Sequence, residues 1–486
     1  MLAGAILTPA VRTLAHRWGA LDHALSSRKI HGRPIPRLGG VAIVAAYFAP
    51  LLALYFVESD VGRRFWVDPA RASGLIIGGL AIAALGVWDD VKGCNARQKF
   101  LVQFAVAGAM YAVGFRIDVL ANPFGPPFPL GWLGLPFTML WIAGVVNAMN
   151  LIDGLDGLAG GVALIAIATT FVIAVVNGDP LMMLFTSALA GAVLGFLFYN
   201  FNPASIFMGD TGSMFLGFVL AATAIQTHHK SSTAVAVLVP IIALGIPIAD
   251  TLLAMLRRAA RGVPMFSADR GHIHHRLLAS GLTHRQTVLV LYGASIVLGA
   301  IAVVLSFSSG SQATWILLAL AGTSFMALRQ LGFISLKKVQ MLLVDRRKNL
   351  DLRREIRRIG ESLRETKRIE DLWVALRIAS RAIGARAFAL HLPEDAPGDP
   401  DERSEGFDDA DTDLFRARYG LVPERHGDTH LELGWADGRT GVDRDTEIAI
   451  ELLCDHVSAA LDRIEPASPT EAAVADDKVV VNLGRK

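Results

Sequence analysis

Residues 147–158 read Asn-Ala-Met-Asn-Leu-Ile-Asp-Gly-Leu-Asp-Gly-Leu, between an apolar run at 136–152 and another at 158–176. Two carboxylates and two carboxamides therefore crowd the end of a membrane segment. A charge at a bilayer centre costs at least about 2.5–3.5 kcal/mol. The cluster either lies in water just beyond the lipid or has a chemical use, and metal or phosphate chemistry leads among such uses. Similar clusters recur at other loops, all on one side, and this favours chemistry.

The chain has 486 residues, 53% of them hydrophobic and 19% charged, with a mean hydropathy of +0.45. A soluble protein of this size is far less apolar. A hydrocarbon core of ~30 Å calls for apolar runs of ~20 residues. Such runs fall at 1–15, 38–57, 71–88, 100–116, 136–152, 158–176, 181–199, 212–227, 233–256, 286–306 and 312–329. The fold class expected is an all-α polytopic membrane protein of about eleven transmembrane helices, followed by a small cytoplasmic α/β domain. No cleavable signal peptide is expected. With that many crossings the termini lie on opposite sides. Loops 16–37, 89–99 and 257–285 share one side and carry 14 Lys/Arg, against 5 in the opposite loops. The positive-inside rule puts the richer side and the C-terminus in the cytoplasm. Cys94 and Cys454 fall on that side, so no disulfide is expected.

Four polar clusters share the cytoplasmic face. They are Trp88-Asp89-Asp90-Val91-Lys92-Gly93; Asn147, Asn150, Asp153 and Asp156; Phe207-Met208-Gly209-Asp210-Thr211-Gly212-Ser213; and Gly271-His272-Ile273-His274-His275-Arg276. Four such loops meeting on one face suit one active site at the membrane surface. Magnesium prefers oxygen ligands and takes one or two carboxylates plus substrate phosphates. Asp89, Asp90, Asp153, Asp156 and Asp210 exceed what one ion needs, so some serve as bases or orienting groups. Lys92, Arg97, Lys99 and the histidines can offset phosphate charge. Plainer readings stand beside these. Asp89-Asp90 can end a helix in water, and Asn147 and Asn150, three apart on one helix face, can bond between helices. Gly209-Asp210-Thr211-Gly212 can be a turn. Zinc on the histidines is disfavoured, because no cysteine is near and acids outnumber imidazoles.

Over about residues 10–330 the chain resembles the polyprenyl-phosphate N-acetylhexosamine-1-phosphate transferases, the glycosyltransferase 4 family. The segments that carry the likeness run in the family's order: Arg28-Lys29-Ile30-His31 with Pro34-Ile35-Pro36-Arg37-Leu38-Gly39-Gly40, Asp89-Asp90-Val91-Lys92, Asn147 to Gly160, Phe207 to Gly217, and His272 to His275. The resemblance implies transfer of a sugar 1-phosphate from a UDP-N-acetylhexosamine to polyprenyl phosphate, with release of UMP. It implies magnesium, with manganese as an alternative, on Asn150 and Asp210. Asp89 and Asp90 would activate the lipid phosphate, and Asp153 and Asp156 would order the nucleotide-sugar site. Lys99 and His272, His274 and His275 would contact phosphate or uridine, with Lys92 and Asn147 as further substrate-binding candidates. Single and double displacement both stay open. The Pro-Ile-Pro-Arg segment and the His-Ile-His-His form resemble the branch that starts O-antigen, teichoic acid and other cell-envelope glycans with GlcNAc or a related sugar, the undecaprenyl-phosphate GlcNAc-1-phosphate transferase-like branch. The lipid I synthase branch carries three consecutive histidines after Ala-Pro-Ile, whereas here Val263–Gly271 reads Val-Pro-Met-Phe-Ser-Ala-Asp-Arg-Gly. A bacterial inner-membrane location follows, with membrane lipids as surroundings and no nucleic-acid partner.

Beyond about residue 330 the character changes. Residues 337–369 hold twelve Lys/Arg against five Asp/Glu and read as a basic helical linker over 331–368; the segment is either a solvated helix or one drawn to anionic lipid. Ile369, Leu372, Leu376, Ala379 and Ile383 form one helical stripe. Strands are expected at 386–392 and 430–435, an acidic mobile loop at 394–413, and a closing helix burying Ile450, Leu453, Val457, Leu461 and Ile464. The pattern over 369–465 is similar to a reduced GAF-type domain, and 466–486 reads as disordered. This tail would regulate, recruit or form a homodimer. Two non-enzymatic readings compete with the transferase. A transporter would place acids near the midplane and polar residues on both faces, and a membrane-anchored sensor would have the tail as its working part.

Overall fold

The computed structural model describes residues 1–19, 21–22, 35–56, 62, 69–120, 122, 128–228, 238–261, 271–308, 310–330, 332, 351–364, 368–391, 404–405, 407, 414–421, 429–439 and 441–464. Several sequence expectations fall outside these residues: the Arg28–His31 motif, the Val263–Arg270 run, and most of the basic linker and of the acidic loop. So does the 466–486 tail. The chain divides into two compact units, one of Met1–Leu256 with Phe266–Ile334, the other of Arg257–Met265 with Ser335–Lys486.

The first unit is helical. Its helices are α1 (Leu2–Arg17), α2 (Gly39–Phe56), α3 (Pro69–Lys92), α4 (Ala96–Ala112), α5 (Gly134–Ile152), α6 (Leu158–Val176) and α7 (Pro180–Asn200). They continue with α8 (Gly209–His228), α9 (Leu238–Ala243), α10 (Gly245–Arg261), α11 (Ile273–Ala279), α12 (His284–Ser306) and α13 (Gly310–Gln330). Two-residue hairpins pair β1 (Leu21–Asp22) with β2 (Ile35–Pro36) and β3 (Val119–Leu120) with β4 (Phe128–Pro129). Six helical stretches among the described residues are long and apolar enough to cross a membrane: Pro69–Lys92, Gly131–Ile152, Leu158–Val176, Pro180–Asn200, His284–Ser306 and Ser311–Gln330. Gly39–Leu54 is a shorter apolar helix. Each run read from the sequence coincides with helix over its described residues, with one difference. The described part of the run at 233–256, from Leu238 on, is two helices parted at Leu244. Pro247 lies just beyond the break and has no N–H to donate back up the helix.

Helix α8 is the axis of this unit. Residues 211–226 are buried along their whole length, and α2, α3, α5, α6 and α7 pack around it. A helix apolar on every side belongs inside a bundle. Close approach at its start needs glycine. A Cβ on Gly86 would run into the Thr211 backbone. Gly209 has φ +69°, and a Cβ there would strike Arg37 O and sit 2.6 Å from Asp90 Oδ2. The Pro36–Gly40 segment is laced to the approach of α8: Phe207 N donates to Pro36 O (2.8 Å), Gly39 N to Phe207 O (2.9 Å) and Gly40 N to Met208 O (2.8 Å).

The second unit has helices α14 (351–363), α15 (Ile369–Ile383) and α16 (Arg444–Leu461) and an antiparallel sheet ordered β6-β5-β8-β7. Its strands are β5 (Ala387–His391), β6 (Ser404–Glu405), β7 (Phe415–Gly420) and β8 (His430–Trp435). Leu372, Leu376, Ile383, Phe388, Leu433, Trp435, Ile450, Leu453 and Val457 form one core. The expected stripe and closing helix supply it. Strands β6 and β7 were not expected from the sequence.

Candidate active site

Helices α3 and α5 end, and α4 and α8 begin, at one place, so their terminal residues converge. Asp89 and Asp90 occupy the last turn of α3 rather than a loop after it. Asn95 opens α4 with a reciprocal capping box to Gln98, which puts Lys99 in the first turn of α4 rather than in the loop. Lys99 Nζ forms ion pairs with both Asp89 Oδ2 and Asp210 Oδ2, the latter at 2.6 Å. One lysine thus ties α3, α4 and α8 together. The other oxygen of Asp89 accepts from Cys94 N at 2.7 Å.

Asp90 has a different job from its neighbour. Its side chain is fully buried. Oδ1 accepts from Asp210 N (2.9 Å), and Oδ2 accepts from Thr211 N (3.0 Å) and Thr211 Oγ1 (2.7 Å). The carboxylate therefore caps α8 from another helix, satisfying donors that a helix start leaves open. Arg37 stands 4.0 Å from it.

Asn150, in the last turn of α5, donates to Ser213 Oγ at 3.0 Å, and its side chain also bonds Asp210. With its nitrogen engaged, its amide oxygen is the atom on offer to a cation. Asn147 turns elsewhere: Nδ2 donates to Gln103 Oε1 (2.6 Å) and to Ala143 O (2.7 Å). It follows the plainer reading, a bond between helices. Asp153 lies just past α5. Burial first, then the charges of Asp210, Asp90 and Asp156, push its carboxyl from 3.8 up to about 8. Asp156 instead holds the approach to α8, accepting from Asn202 Nδ2 (2.9 Å) and Ala204 N (3.0 Å). Lys92 is exposed at the end of α3 and makes no described contact with the carboxylates.

The histidines join through Gly154. A Cβ at Gly154 would come 2.7 Å from His274 Nε2, so this imidazole lies against the Asp153 loop. His274 is buried, and among the described residues its Nδ1 has no hydrogen-bond partner. Burial, followed by the neighbouring His275, lowers its pKa to about 4 and keeps it neutral. His272 stacks on it, with centroids 5.7 Å apart and planes at 8°. His275 is exposed beside them. One functional candidate escaped the sequence reading: Asp250 of α10, buried against His272 and Ile273. An acid inside an apolar run is itself a signal.

A second cluster lies in the other unit. His391 and His430 are register partners on β5 and β8, and with Glu432 they place ligand-type atoms within 4.8 Å of one another. The imidazoles stack at 4.3 Å and 10°. Stacked rings direct their lone pairs along parallel planes rather than at one point. Glu432 already faces His391 Nε2 at 3.1 Å and Arg418 Nε at 3.5 Å, so its charge is answered within the sheet.

The first unit is thus a membrane bundle that gathers carboxylates, an amide, a lysine and imidazoles at one end, an inventory suited to phosphoryl chemistry. The family model for glycosyl transferase family 4 matches residues 72–228. The chain is 41% identical over 306 residues to a probable undecaprenyl-phosphate N-acetylglucosaminyl 1-phosphate transferase of Bacillus subtilis, covering 63% of this chain and 82% of that protein. It is 35% identical over 312 residues to a decaprenyl-phosphate N-acetylglucosaminephosphotransferase of Mycobacterium tuberculosis, covering 59% and 75%. A phospho-N-acetylmuramoyl-pentapeptide-transferase of Listeria monocytogenes is 34% identical over 280 residues, covering 55% and 82%. The chain belongs to glycosyl transferase family 4. It is a membrane enzyme of the phosphotransferase kind.

Proposed function

We propose that the enzyme transfers GlcNAc 1-phosphate from UDP-GlcNAc to a polyprenyl phosphate, undecaprenyl phosphate by preference, and releases UMP. This would be the first membrane step of a cell-envelope polysaccharide. An oxygen of the acceptor phosphate bonds to the β-phosphorus of the nucleotide sugar. The bond from that phosphorus to the bridging oxygen breaks, and UMP leaves with the oxygen. The observation that carries this reading is Lys99 bridging Asp89 and Asp210, beside Asn150 and the raised Asp153 carboxyl. Carboxyls crowded closely enough that Asp153 keeps its proton suit a divalent cation, and the donors are hard oxygens. Asn150 and Asp210 would hold magnesium or manganese, which when bound supplies positive charge against the diphosphate.

The protein's own groups divide the remaining work. Asp89 is the group suited to orient the lipid phosphate or take its proton. Asp90 holds the start of α8, and so Asp210, in place. Lys99 keeps Asp89 and Asp210 from repelling each other and offers charge to a phosphate. His272, His274 and His275 line the nucleotide-sugar side. The acceptor's tail lies in lipid and the donor is soluble, so the site belongs at the inner face of a bacterial inner membrane. Eleven crossings with a cytoplasmic tail give that placement, and the charge bias of the loops supports it. The second unit, with α15 and α16 packed on each other and on an antiparallel sheet, is read as a GAF-like regulatory or dimer-forming domain.

The test is UMP release by purified protein from a panel of UDP-sugars with undecaprenyl phosphate and magnesium. UDP-GlcNAc should be turned over, and Asp210→Asn should abolish the reaction. Turnover of UDP-MurNAc-pentapeptide alone would replace this reading with lipid I synthesis. Folded protein that releases no UMP from any donor would remove it.

A further inference from the structure

Asp250 lies in the second turn of α10, in the run 233–256 that is otherwise almost wholly apolar. It is 2% exposed. A buried carboxylate is tolerated only where it is paired or hydrogen-bonded. Both its oxygens are engaged, and both partners are in the histidine segment: Oδ2 lies 2.8 Å from His272 Nδ1, and Oδ1 accepts from Ile273 N at 2.7 Å. A carboxylate can only accept, so the hydrogen in the first bond belongs to Nδ1 of His272. Nε2 is then the ring's remaining polar atom. The Ile273 bond fixes the backbone of the same segment, and His272 stacks on His274, which lies against Gly154.

We propose that Asp250 is a positioning residue of the active site, which sets the tautomer and the orientation of His272 and through it seats the histidine segment for the nucleotide sugar. The proposal rests on the transferase reading for its kinetic consequence, but not for the tautomer.

Asp250→Asn separates orientation from folding. An asparagine oxygen still accepts from Ile273 N, while its NH2 now donates to His272 Nδ1. The hydrogen of the neutral ring must then move to Nε2. Both contacts between residue 250 and the histidine segment are kept, yet the ring presents the other tautomer. Full-length protein labelled with 15N-histidine reports the tautomer directly, with a His272→Gln sample identifying the signal. The wild type should show Nδ1 protonated, and Asp250→Asn should show Nε2 protonated, with little change in thermal midpoint. Around metal-bound histidines, loss of the supporting hydrogen bond costs about 10–100-fold. A loss of that size is expected in kcat/KM for the nucleotide sugar, while KM for the prenyl phosphate stays within about twofold. Neutral wild-type His272 protonated on Nε2 overturns the proposal, and this arm needs no variant protein to fold. Inverted tautomer with unchanged kinetics overturns it as well. If the wild type turns over no UDP-sugar, the functional reading fails, and the spectrum still decides what Asp250 does to His272.

Discussion

Lys99 touches carboxylates from two other helices. Replacing it with methionine keeps the length of the stem but leaves Asp89 and Asp210 facing each other with no cation between them. Loss of a preorganised charge of this kind costs about 10²–10³ in rate. Lys99→Met should therefore lower UMP release by that factor while the protein still inserts and purifies. Asp153 gives a prediction in pH. Its carboxyl is raised from 3.8 to about 8 in the fold, so the folded state holds a proton that the unfolded chain has already lost. Its stabilising contribution is full below about pH 4 and declines as pH rises to about 8. Without divalent ions, the thermal midpoint should fall between pH 6 and 8.5, and Asp153→Asn should flatten that slope. Magnesium favours the ionised carboxyl, so its affinity should rise over the same interval, which a calorimetric titration at three pH values would measure.

At the scale of elements, the paired aspartates differ in what they hold. Asp89 and Asp90 are neighbours on α3, but the turn between them directs one at Lys99 and the other at the N–H groups that open α8. Loss of a helix cap costs about 0.5–2 kcal/mol. Asp90→Ala should accordingly lower the thermal midpoint and the activity together. Asp89→Ala should abolish activity with a smaller change in midpoint. Equal destabilisation by the two would remove the distinction. The sequence showed both residues as special but not which was which, because the difference lies in a contact across 120 residues of chain. Other elements were readable for a local reason. The apolar runs, the polar break between those at 136–152 and 158–176, and the stripe of α15 follow from period and composition. Asp250 was missed although an acid inside a predicted span is a signal; its partner lies 22 residues on, and no local rule supplies that pairing. Strand β7, Phe-Arg-Ala-Arg-Tyr-Gly, does alternate, with Phe415, Ala417 and Tyr419 turned to the core. Its arginines obscure the pattern, and at the edge of a sheet such charges discourage pairing with other chains.

For the whole molecule the question is whether the tail takes part in the chemistry. The carboxylates, Lys99, Asn150, the histidines and Asp250 all belong to the unit of Met1–Leu256 with Phe266–Ile334. The tail has a separate core, in which α15 and α16 close on the four-stranded sheet around Trp435 and Phe388. Neither core borrows a residue from the other. A protein cut after Ile334 should therefore keep its kcat with UDP-GlcNAc and undecaprenyl phosphate to within about threefold, a change of roughly 0.7 kcal/mol in barrier. What should change is the response to whatever the tail senses or binds, and the apparent mass in detergent if the tail forms dimers. Side-by-side assay of the full and shortened chains, with light scattering on each, separates the outcomes. Retained turnover with unchanged mass leaves the tail a recruiting or sensing module. Turnover lost from a shortened chain that still inserts would mean that the tail controls catalysis, although every group fitted for the chemistry lies outside it.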